Sequence, residues 1–131
     1  MRFNFDSRQP LFLQVATQLE DAIFMQIYTE NEQVPSTTEI SQNFHINPAT
    51  VLKGMNILVE QNLIEKKRGL GMFVKPGAYE LILKKRQEAF YQDYVVKLVK
   101  EAKRLKMQPD ELNELIIRGL KENEWNSNQK C

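Results

Sequence analysis

The chain is expected to be mainly helical and to fall into two parts: three helices closed by a two-stranded β-hairpin over residues 1–76, then a two-helix tail over residues 77–131. Three observations lead there. Apolar residues recur at three- and four-residue steps in separate segments beginning near Pro10 and Asn47. Between Leu63 and Lys75 the pattern changes to two short strands around glycines. Pro76-Gly77 then punctuates the chain, and neither residue type recurs until Pro109.

The first helix is expected from about Pro10 to Gln26, where Leu11, Val15, Leu19 and Ile23 or Ala22 line one face. Pro10 suits a first turn, whose N–H groups lack helical partners anyway, and Ser7 lies upstream as a candidate cap. After the polar stretch Tyr28–Gln33, Ser36 and Glu39 have the spacing of a capping box, so a short second helix starts at Ser36 and turns Ile40 and Phe44 inward. His45-Ile46-Asn47 breaks it. Asn47 caps a third helix with Pro48 at its first position, and Val51, Met55, Leu58 and Val59 form its apolar stripe. Two helices joined by so tight a turn make a helix-turn-helix. Leu63–Lys67 and Met72–Lys75 read as strands around Arg68-Gly69-Leu70-Gly71, a wing that completes a winged helix-turn-helix.

From Ala78 to Met107 one long amphipathic helix is expected, with Leu83, Phe90, Tyr94, Leu98, Ala102 and Leu105 on its stripe. Pro109 restarts a second helix carrying Leu112, Leu115, Ile116, Gly119 and Leu120, and residues 126–131 read as a frayed end. An apolar stripe this long exceeds what a small winged domain can cover, so the tail is expected to make a symmetric dimer through Leu83, Phe90, Tyr94, Leu98, Leu105, Leu112 and Ile116. The aromatic residues Phe90, Tyr91, Tyr94 and Trp125 could instead line a ligand pocket, but at helical spacing they are better explained by packing.

Composition removes several function classes. With 42% hydrophobic residues the chain can bury a core, yet no stretch approaches the roughly 20 apolar residues of a membrane span. The first six residues lack the apolar centre of a signal peptide, so a cytoplasmic protein is expected. The single cysteine, Cys131, cannot form an internal disulfide or a cysteine-rich metal site, and reads as an inert terminal residue. One histidine, His45, and carboxylates scattered at Glu60, Glu65, Glu101, Asp110 and Glu111 give no catalytic constellation. Neither an enzyme nor a cofactor is expected. Net charge is only +1, with 7 basic and 8 acidic side chains up to residue 76 and 11 and 9 beyond it, so phosphate contacts must come from local clusters such as Lys66-Lys67-Arg68 with Lys75 nearby.

The joint order of short helix, turn, third helix and basic glycine hairpin points to double-stranded DNA. The second helix of such a unit enters the major groove with its N-terminal turn toward base edges. Here Ala49, Thr50, Lys53 and Asn56 lie on or near the side away from the stripe: Asn47 and Thr50 can exchange hydrogen bonds, the lysine can reach phosphate or guanine, and the alanine can meet a thymine methyl. Ser36, Thr37 and Thr38 at the start of the second helix can anchor phosphate, although capping alone would explain Ser36. Arg68 beside Gly69 can enter the minor groove or clamp a phosphate. The competing reading is a winged helix used for protein–protein contact, which the near-zero charge accommodates.

Residues 10–75 resemble the winged helix of the GntR family in Pro10-Leu11-Phe12-x-Gln14-Val15, Val34-Pro35-Ser36, Thr50-Val51, Leu63-Ile64 and Gly69-Leu70-Gly71-Met72-Phe73-Val74. The turn Asn47-Pro48-Ala49-Thr50-Val51, with so short a tail after the wing, is similar to the YtrA subfamily. That resemblance implies a homodimer built by a two-helix tail, without the large effector domain of longer relatives, and repression, often of a neighbouring ABC-transporter operon. The chain departs from the family pattern at Gln26 and Asn31, where glycine is usual, at Thr38, where arginine is usual, and at Ala49, where asparagine is frequent. These departures imply an altered operator.

Overall fold

The computed structural model describes residues 1–123 and resolves them into two compact units, Met1–Arg86 and a second that begins at Gln87. The first unit opens with helix α1 (Leu11–Phe24). Pro10 caps it through its carbonyl, which accepts the N–H groups of Leu13 and Gln14 at 3.1 Å each. Ser7 is not the cap: its hydroxyl accepts the Gln9 N–H at 3.1 Å, before the helix starts. α1 ends two residues before the expected Gln26 because Gln26 adopts a left-handed φ of 60°. Gln14 is buried although polar, and its amide is fully used. It accepts from the Asn4 N–H at 2.8 Å and donates to the carbonyls of Asn4 and Gln9 at 2.9 Å each, pinning the N-terminal segment onto α1.

Helix α2 (Thr37–Phe44) starts one residue after Ser36, and both halves of the expected capping box form between Ser36 and Glu39. His45 ends it in the left-handed conformation, φ 54°, and the Ser41 hydroxyl donates to the Ile46 carbonyl at 2.6 Å, which sends Ile46 into the core. Asn47 then caps helix α3 (Pro48–Glu60), its side-chain oxygen accepting the Ala49 N–H at 2.8 Å. Val51, Met55 and Leu58 are buried as their spacing requires, and Val59 is half-buried.

Gly54 has a role that the stripe did not reveal. A Cβ there would lie 2.5 Å from the Phe12 carbonyl oxygen and 2.8 Å from the Val15 Cβ, so only glycine lets α1 and α3 approach this closely.

Strands β1 (Ile64–Lys67) and β2 (Gly71–Val74) pair antiparallel, with Ile64 opposite Val74 and Lys67 opposite Gly71. The hairpin is one residue shorter at its base than expected, since Leu63 and Lys75 close it from outside through a 3.0 Å hydrogen bond. The polar connection after α1 also does more than connect. Asn31 and Val34 donate to Val74 and Met72, Val74 donates back to Glu32, and Gln33 bridges Phe73, so β2 is hydrogen-bonded on both edges.

The expected boundary at Pro76-Gly77 marks the turn from β2 into helix α4 (Ala78–Phe90), but the compact unit continues to Arg86. Ala78 and Ile82 complete its core at 0% exposure. Phe24 stacks on Tyr79 and lies under the Arg86 guanidinium, while Lys85 pairs with Glu20 and Arg86 with Asp21.

The long helix expected to Met107 is divided. A π turn (Tyr91–Val95) interrupts the α-helical pattern, and helix α5 (Val96–Arg104) follows. Lys106, with φ 59°, ends this segment, and helix α6 (Pro109–Glu122) begins behind a second capping box, Gln108 with Glu111. The readings made of Trp125 and of the terminus through Cys131 fall outside the described residues. No helix among the described residues is long and apolar enough to cross a membrane.

Candidate nucleic-acid interface

The third helix presents two unlike faces. Val51, Met55 and Leu58 point into the core; at 100° per residue the opposite side carries Ala49, Leu52, Lys53 and Asn56, all exposed. With Ile57 and Glu60 they line a shallow groove along the outer surface of α3. Thr50 sits half-buried in the first turn. Lys53 is the one cation of α3, and its ammonium lies 3.9 Å from the centroid of the Phe12 ring, held toward α1.

The three hydroxyls at the start of α2 have different positions. Ser36 accepts the Glu39 N–H at 3.0 Å, and Thr37 donates to the Met55 sulfur at 3.4 Å. Thr38 is exposed. What this terminus offers an anion is therefore its backbone N–H groups and the Thr38 side chain, with the Glu39 carboxylate close by.

In the wing, Arg68, Gly69 and Leu70 form the tip. Gly69 takes φ 78°, a conformation that costs other residues strain, and Arg68 is exposed beside it. The tip is braced from outside the hairpin, because the Gln33 amide donates to the Leu70 carbonyl at 2.8 Å. That brace explains Gly71: with φ 122°, a Cβ there would lie 2.5 Å from the Gln33 amide nitrogen. Lys67 folds back over Phe73 at 4.7 Å, whereas Lys66 is exposed.

All the residues singled out for DNA contact, from Ser36 through Gly69, lie within the first compact unit. Leu52 was missed. It follows the buried Val51 directly, and its signal was an apolar side chain out of phase with the stripe, left 48% exposed on the outer face. No group of three or more potential metal ligands forms among the described residues.

Residues 11–74 match the family model described as bacterial regulatory proteins, gntR family. This is a gntR-family winged helix. The curated regulator YhcF of Bacillus subtilis, an HTH-type transcriptional regulator, is 24% identical over 112 residues, which span 86% of this chain and 91% of YhcF. The crystal structure of a GntR-family transcriptional regulator from Bacteroides thetaiotaomicron superposes with a TM-score of 0.68 at 28% identity, covering 86% of this chain and 97% of that one. The AraR(DBD) structure in complex with operator ORX1 covers 56% of this chain and 92% of its own, with a TM-score of 0.51 and 25% identity.

The chain therefore carries the DNA-binding head of a gntR-family transcriptional regulator, and the family is not one of enzymes. Two departures from the gntR pattern gain a physical meaning here. Gln26 and Asn31, where glycine is usual, both adopt positive φ, 60° and 68°, so the backbone keeps a glycine-like turn at each without the glycine.

Proposed function

We propose that this gntR-family chain acts as a homodimeric, sequence-specific repressor, of the YtrA-like kind, on an inverted-repeat operator, with a transporter operon as its target and the cytoplasm as its place of action. The observation that carries the DNA reading is the joint display, by one compact unit, of the outer face of α3 and the glycine-bearing wing tip at Arg68. The match to an operator-bound AraR(DBD) supports it. In this reading Ala49, Thr50 and Lys53 reach the groove and the N–H groups of Thr37 and Thr38 hold phosphate. Asn47 positions α3 chiefly as its cap, and Arg68 at the Gly69 turn contacts backbone or minor groove.

Pairing of two chains is supported by the apolar surface of the tail. Phe90, Tyr94, Leu98, Leu105 and Ile116 are each between 42% and 64% exposed, with Leu83 and Leu112 half-buried. A second copy would cover them and turn one reading head into a reader of inverted repeats.

A mobility-shift titration against genomic fragments at two salt concentrations tests the reading. Saturable binding that weakens steeply with salt is expected, because each phosphate contact releases a counterion. Absence of any saturable shift would favour a winged helix that binds proteins.

A further inference from the structure

Leu52 is the large apolar side chain that the outer face of α3 leaves exposed. It projects from the outer face of α3 at 48% exposure, between Val51 and Lys53, and nothing in the packing of the winged unit requires a leucine there. Ala49, one turn earlier, and Leu52 make a continuous apolar strip; Asn56 follows one turn later. α3 contains no arginine, and its lysine is drawn back over the Phe12 ring at 3.9 Å. The face that would enter the major groove therefore offers two apolar contacts, an amide, the Thr50 hydroxyl and a single lysine resting on Phe12, rather than guanidinium forks.

The major groove displays one apolar group, the thymine 5-methyl, while guanine presents two acceptors that an alkyl side chain would leave unsatisfied. Building on the DNA-binding reading above, we infer that α3 discriminates its half-site chiefly through thymine methyl groups, and that Leu52, with Ala49 beside it, is the specificity-determining contact. The operator is then rich in A·T pairs where the first turns of α3 meet it, with thymine favoured opposite Leu52. The amide of Asn56 fits the same composition, because asparagine pairs with the N6 and N7 edge of adenine.

The test needs no operator known in advance. The intact protein is used to select bound duplexes from a random library, and the best-bound duplex is resynthesised with deoxyuridine replacing each thymidine in turn. Uracil keeps the base pair and its O4 acceptor but lacks the methyl. At one or two positions per half-site the replacement should weaken binding by about fourfold, the equivalent of one buried methyl group. At those positions Leu52→Ala should bind the thymidine duplex more weakly and show no further loss with uracil, while its melting temperature stays that of the parent protein.

Uracil that is neutral at every position of a duplex bound saturably and with steep salt dependence would overturn the inference and leave the DNA reading standing. An equal uracil penalty in the parent protein and in Leu52→Ala would remove Leu52 from the contact. If selection enriches no sequence at all, both the inference and the reading beneath it fail.

Discussion

The two compact units spend their apolar residues in opposite ways. In Met1–Arg86, side chains such as Leu19, Val51, Met55 and Ile82 are closed off at 0% exposure, contributed by four helices and the hairpin. In the described part of the second unit only Ala102 is buried, and Phe90, Tyr91, Tyr94, Val99, Leu105, Ile117 and others stand exposed. Burying a large apolar side chain is worth about 1.5–3 kcal/mol, so the winged unit has its own source of stability, whereas the described part of the tail leaves most of its apolar side chains exposed. A core packed on itself is unforgiving of substitution; an exposed stripe is forgiving in the monomer and decisive only in assembly.

The largest expected effect breaks the winged unit. Met55→Ala should cost about 2–5 kcal/mol, because the thioether is fully buried and also accepts the Thr37 hydroxyl. Thermal or chemical denaturation reads this directly, and an unchanged melt would mean that α3 faces the other way. Gly54→Ala should cost about 1–3 kcal/mol even though alanine favours helix more than glycine, because the added methyl would collide with the Phe12 carbonyl. A stabilised Gly54→Ala would show that α1 and α3 do not approach so closely.

Substitutions on the outer surface should separate binding from folding. Arg68→Ala should leave the melt unchanged and weaken operator binding by about 1–3 kcal/mol if the guanidinium meets a base, or lower the salt slope by about one if it meets phosphate. Lys53→Ala should weaken binding on the same scale and also lower stability by about 0.5–1 kcal/mol, since it removes the cation from above Phe12. Mobility shifts beside melts of both variants check the pair; unchanged DNA binding in both would remove the docking model. The smallest expected effect is a gain. His45→Gly should stabilise the protein by about 0.5–1 kcal/mol, because the left-handed backbone there suits glycine and the exposed imidazole has no packing role. A loss measured in urea unfolding would contradict this.

Much of the winged unit was legible because local chemistry announces itself. Ser36 with Glu39, Asn47 before Pro48 and the glycines at 69 and 71 are short-range signals, and the Val51, Met55, Leu58 spacing orients α3 without knowledge of its neighbours. What escaped depends on contacts distant in sequence. Nothing near Gly54 shows that Phe12 lies against it, nor does the polar stretch 31–34 reveal that β2 will use it as a second edge. Ile82, not the Leu83 of the tail stripe, enters the core, because the first turns of α4 belong to the winged unit rather than to the tail. The π turn at Tyr91–Val95 has no residue signature, since no glycine or proline marks it. On the outer face of α3, Leu52 carries no local signal beyond being an apolar side chain out of phase with the buried stripe.

Sedimentation of the intact protein, alone and on its selected duplex, tests most directly the division between a head that reads and a tail that pairs. A free species at about twice the 15.4 kDa chain mass and two chains on each duplex are expected. Leu98→Glu should shift the free protein toward the single-chain mass without changing the winged core. A parent protein that sediments as one chain at micromolar concentration, and binds its site as one chain, would contradict that division.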